Sequence, residues 1–126
     1  MCFSATASFG ASAVLGVIGV VSLSKAKTKP QKLFGTIPLL FSIQQLTEGL
    51  LWISLRNTDM SNWLPFLTYT FLVFAMAVWP FWIPFTLHKL ETDEKRKRLT
   101  KVFAWIGAFV AIGVCFILFS YPVKAV

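Results

Sequence analysis

Four long apolar runs, separated by short charged or polar segments, organise this chain of 126 residues. They cover about residues 5–24, 33–55, 64–87 and 102–121. Each comes close to the roughly 20 residues that a helix needs to cross a hydrocarbon core of about 30 Å. The pattern predicts an all-α integral membrane bundle of four transmembrane helices, forming a single domain. The first run has no basic residue before it and no clear cleavage site after it, so it is expected to stay as a helix rather than be removed as a signal peptide.

Within the runs, small and polar residues fall at helical spacing. Ser4, Ser8, Ser12 and Gly16 recur every fourth residue and share one face, where a neighbouring backbone can approach closely. Ala104, Gly107, Ala108 and Ala111 offer a similar surface in the fourth run. Pro38 in the second run and Pro80 and Pro84 in the third each remove a backbone donor and are expected to bend their helices.

Charge sets the expected orientation. Lys25, Lys27, Lys29 and Lys32 lie between the first two runs, and Lys89, Lys95, Arg96, Lys97, Arg98 and Lys101 between the last two. Arg56 and Lys124 fall on the opposite side. By the positive-inside rule both basic loops are cytoplasmic, and the N-terminus, the Arg56–Trp63 loop and the C-terminus are outside. Trp52, Trp63 and Tyr121 then mark the outer interface, and Trp79, Trp82 and Trp105 the inner one.

Composition supports lipid as the surrounding medium. Hydrophobic residues make up 56% and charged residues only 13%. A soluble domain carries about 25% charged residues. The net charge of +7 does not indicate a nucleic-acid binder, because it sits in two loop clusters with no aromatic–basic recognition motif. The expected partners are the lipid bilayer and either further copies of the chain or a membrane-complex partner, with no nucleic acid.

Glu48 is the acidic residue that falls within an apolar run. An ionised carboxylate facing lipid at that depth is costly. It must therefore face the bundle, be protonated, or be paired with a cation. Gln44 lies one turn before it, Trp52 one turn after it, and Gln45 three residues before it. Together they form a polar stripe suited to a proton, a cation or a small polar ligand. The bland alternative is a hydrogen-bond node between helices. Tyr69, at similar depth in the third run, is the expected hydrogen-bond partner of Glu48.

Two cysteines, Cys2 and Cys115, are too few for a disulfide framework. Both are expected on the outer side, where they could form a disulfide or share a soft metal; packing is the simpler role. His88, the single histidine, ends the third run and suits a helix C-terminus. There is no metalloprotease, P-loop, dinucleotide or nucleophile-elbow motif, so nothing favours an enzyme.

The opening Met1-Cys2-Phe3-Ser4-Ala5, followed by Ala7-Ser8-Phe9, resembles an uncharacterised family of bacterial polytopic membrane proteins. So do the Gln-Gln-x-x-Glu-Gly-x-x-Trp stretch at Gln44, Gln45, Glu48, Gly49 and Trp52, and the Trp-Pro-x-Trp-x-Pro stretch at Trp79, Pro80, Trp82 and Pro84. The resemblance brings no activity. It implies a multi-pass protein of a bacterial-type inner membrane, and that Cys2, Gln44, Gln45 and Glu48 are family features. Members of that family continue past a stretch like Tyr121-Pro122-Val123, which leaves open a short member or the N-terminal part of a longer architecture. The functional expectation is a small channel, transporter or ligand-binding bundle, with an accessory subunit of a larger membrane complex as the alternative.

Overall fold

The computed structural model describes residues 4–123, and within them every regular element is helical. Helix α1 (Ala5–Lys25) starts on Ser4, whose hydroxyl accepts from the Ala7 N–H at 3.2 Å and satisfies an otherwise orphaned donor. After a short turn, Thr28 and Gln31 form a capping box that opens α2 (Lys29–Gly35). Helix α3 (Ile37–Arg56) follows at once.

The second apolar run is thus two helices that meet at Thr36. Pro38 has no N–H for the Phe34 carbonyl, so the helix restarts with proline in its first turn, where the missing donor costs nothing. The Thr36 hydroxyl caps the break by donating to the Leu33 carbonyl at 2.6 Å.

A 3-10 turn (Thr58–Trp63) leads into α4 (Leu64–Val73), a π-helical turn (Phe74–Val78) and α5 (Trp79–Leu90). The expected interruption at Pro80 takes the form of this wider turn. The Trp79 N–H reaches back five residues to the Phe74 carbonyl. Helix α6 (Glu94–Ser120) begins eight residues before the fourth apolar run. Asp93 caps it by accepting from the Arg96 N–H at 3.0 Å, and Glu94 complements the helix dipole, so the charged segment joins the helix.

Three stretches are long and apolar enough to cross a membrane: Ala5–Lys25, Thr58–Leu90 and Glu94–Ser120. By length and composition this gives three spans where four were expected. Helix α3 falls short because Gln44, Gln45, Thr47 and Glu48 interrupt its apolar sequence.

The helices pack as two antiparallel pairs. In the first, Phe9 meets Gly49, Gly16 meets Ser42 and Gly19 meets Leu39 along α1 and α3, and Leu23 meets Gly35 of α2 in the same register. The Ser12 hydroxyl lies 2.8 Å from the Ser42 carbonyl, and the Ser42 hydroxyl lies 2.7 Å from the Ser12 carbonyl. In the second, α5 packs on α6. A methyl group added at Gly107 would overlap the Pro80 carbonyl oxygen. Near the other end of α5, His88 Nδ1 lies 3.1 Å from the Lys97 carbonyl oxygen and 3.4 Å from Thr100 Oγ1.

Burial is inverted relative to a water-soluble protein. Among the described residues, Ser8, Ser12, Gln44, Thr47, Glu48, Ser54, Thr68 and Thr86 are buried polar side chains, against Leu67, Ala77 and Leu118 as buried apolar ones. Meanwhile Phe109, Ile112, Phe116 and Phe119 on α6 stand mostly exposed, Phe119 at 77%. This is an apolar surface far in excess of scattered single residues.

Candidate functional site

The inward face of α3 carries the site. Gln44 and Glu48 lie four residues apart, hence on one face, and are 7% and 2% exposed. Gly49 follows, and its missing side chain lets the Phe9 ring of α1 lie directly on the helix, with ring carbons 2.8–3.0 Å from where a Cβ would stand. Thr47 and Ser54, also buried, donate to their own helix at the Ile43 and Leu50 carbonyls, both at 2.9 Å. Their hydroxyls therefore need no partner from another helix.

Two side chains hold the polar stripe together. The Gln45 side-chain amide donates to Glu48 Oε2 at 3.2 Å. The Trp79 indole N–H donates to Gln44 Oε1. Trp79 is oriented by its ring, which stacks on Phe41 with centroids 4.0 Å apart. One turn further along α5, the Trp82 indole donates to the Thr36 hydroxyl at 3.0 Å, at the break between α2 and α3. Gln45, Glu48 and Trp52 each take part in at least one further interaction. Among the described residues, every buried side-chain nitrogen and oxygen has a hydrogen-bond partner.

The expected residues do not all converge. Tyr69 does not pair with Glu48. Its hydroxyl accepts from the Val123 N–H at 3.0 Å and lies 3.5 Å from the Tyr121 carbonyl, and its ring faces Phe119. Tyr69 thus ties α4 to the segment after α6. Trp52 is half-buried, with the Arg56 guanidinium 5.8 Å from its ring centroid. Cys115 is a half-buried free thiol on α6, and Cys2 lies outside the described residues. Among the described residues, no group of three or more His, Cys, Asp or Glu side chains gathers as a metal site.

Trp79 belongs with the stripe and Trp82 with the break at Thr36, although sequence reasoning placed both only at an interface. Their separation of three residues was the available signal, since it puts both indoles on adjoining positions of one helix face.

The resulting constellation is an enclosed carboxyl group bonded to an amide, with a second amide one turn away held by an indole. Carboxylate and amide oxygens are hard donors suited to a proton or a hard cation.

The sequence profile of a family of unknown function matches residues 1–126, the whole chain. The chain belongs to that family, DUF6629. No curated protein and no solved structure matches it. The family carries no assigned activity, so function has to be argued from the residues of this DUF6629 chain alone.

Proposed function

We propose that the chain is a multi-pass membrane bundle whose polar stripe at Gln44, Gln45 and Glu48 binds a proton, a cation or a small polar ligand, as part of a small channel, transporter or ligand-binding bundle. The observation that carries this is the near-complete enclosure of the Glu48 carboxyl in a chain that exposes its apolar side chains. Glutamine or serine would join helices as well as glutamate, without the cost of burying an ionisable group. A carboxyl retained in such a place suits reversible occupancy by a positive charge.

Helix α3 is a fourth membrane crossing in this reading. Twenty residues at about 1.5 Å each give roughly 30 Å, the thickness of the hydrocarbon core. Trp79 of α5 bonds Gln44, Gln45 bonds Glu48 and Ser12 of α1 bonds Ser42, so the polar side chains of α3 have partners within the protein and its low hydropathy does not keep it out of lipid. The basic loops lie in the cytoplasm of a bacterial-type inner membrane, and both ends lie outside. Four short helices enclose little volume, so the functional unit contains further copies or a membrane partner.

The second reading makes Glu48 a helix-joining node in an accessory subunit. The bonds of Gln45 to Glu48 and of Trp79 to Gln44 favour it, because they occupy part of the polar stripe. Glu48→Gln separates the two readings in reconstituted vesicles. On the first, proton or monovalent-cation flux is lost while the protein's size in detergent is unchanged. On the second, the assembly dissociates and the wild-type protein carries no flux.

A further inference from the structure

A cleft of about 600 Å³ opens where the end of α1, the following turn and α2 meet the end of α5. One side is cationic: Lys25 closes the last turn of α1 and Lys27 follows in the turn, with Gln31 beside them. The other side is apolar, formed by Phe34, Pro38 and Leu90. Phe34 and Leu90 are 42% and 38% exposed, so the apolar wall is open to the surroundings rather than sealed as core.

The acidic residues nearest this end are engaged in their own turn. Glu91 Oε1 accepts from the Thr92 and Asp93 N–H groups at 3.0 and 3.1 Å, and Asp93 Oδ1 accepts from the Arg96 N–H. Glu94 lies with Lys97, Arg98 and Lys101 in a separate depression. Among the described residues no Asp or Glu lines the cleft, so its two lysines give it a positive character beside an apolar wall.

We propose that this cleft binds the headgroup of an anionic phospholipid. Lys25 and Lys27 take the phosphate, and Phe34, Pro38 and Leu90 line the path of the first acyl carbons. The inference rests on the membrane reading above, and it assigns the cytoplasmic leaflet a specific contact instead of a diffuse attraction. A soluble phosphate compound would share the lysines but leave the apolar wall unused.

Delipidated protein in neutral detergent, titrated and followed by native mass spectrometry, tests this. The probes are phosphatidylglycerol, phosphatidylcholine and glycerol phosphate. Phosphatidylglycerol is expected to bind in preference to both others. Lys25→Gln with Lys27→Gln should weaken it on the order of tenfold, while Lys95→Gln with Lys97→Gln, equal in charge lost, should have a much smaller effect. Phe34→Glu, at an exposed position, probes the same cleft independently and should also weaken binding.

Equal weakening by both lysine pairs overturns the site, because only diffuse charge would then be acting. Glycerol phosphate binding as well as the lipid overturns it too, in favour of a soluble ligand. A chain that stays monodisperse without detergent removes the membrane reading and this site with it. A chain that needs detergent but shows no lysine-dependent selectivity removes this site alone.

Discussion

The indole nitrogen of Trp79 donates to the side-chain oxygen of Gln44, joining the helix after the π turn to the polar face of α3. This bond and the Trp82–Thr36 bond are side-chain hydrogen bonds that link the two antiparallel pairs. Trp79→Phe keeps an aromatic ring against Phe41 and removes the donor. It should lower stability in detergent by about 1 kcal/mol, read from a thermal or denaturant transition. Gln44→Leu in the same background should then cost much less than it does alone, since the two residues share one bond.

Gly107→Ala should be among the most damaging single methyl additions in the chain. The new carbon would overlap the Pro80 carbonyl oxygen, so α5 and α6 must separate. A loss of about 2 kcal/mol or more is expected, as for overpacking of a tight contact. Gly113→Ala, on the same helix with no heavy atom within 4 Å of the added carbon, should leave the transition unchanged or raise it slightly.

Gly49→Ala meets a side chain instead of backbone: the Phe9 ring, at 2.8 Å. The substitution should destabilise by about 1–3 kcal/mol in the wild type. It should cost clearly less in a Phe9→Leu background. An equal cost in both backgrounds would place the strain elsewhere.

Ser12 and Ser42 exchange hydroxyl-to-carbonyl bonds across α1 and α3. Interhelical hydrogen bonds in lipid average about 0.6 kcal/mol, with a maximum of about 1.7. Each acceptor is a backbone carbonyl that substitution leaves in place, so Ser12→Ala and Ser42→Ala should each cost an amount inside that range, and the two costs should be close to additive. No cost for either substitution would show that close backbone packing, not the hydroxyls, holds this pair.

The helices were legible in the sequence because each depends on a local pattern. Apolar runs bounded by charge gave α1, α4 with α5, and the main part of α6. The face of Ser8, Ser12 and Gly16 packs against α3 as its spacing implied. The break at Thr36 was harder to see. Pro38 is tolerated in a first turn and destructive in an interior, and the sequence does not say which of these applies. The count of spans by composition came out at three for a related reason. Helix α3 combines polar residues with apolar ones, and whether it is apolar enough depends on neighbours that satisfy Gln44 and Glu48.

The candidate site was legible on its own helix and not across helices. Spacing placed Gln44, Gln45 and Glu48 together correctly, since i, i+3 and i+4 relations are fixed by helix geometry. It paired Tyr69 with Glu48 from depth alone. Depth gives no azimuth, and the Tyr69 hydroxyl turns instead to the chain after α6. Trp79 was missed for the same reason.

The π turn between Val73 and Trp79 sets the angular phase of one long helical rod. Tyr69 upstream of it points to the end of α6, and Trp79 downstream points to Gln44. Tightening that turn to ordinary winding, with all of its residues kept, would rotate one half against the other by about 100°. Both anchors could not then be kept, so the rod has one setting in which its two ends agree.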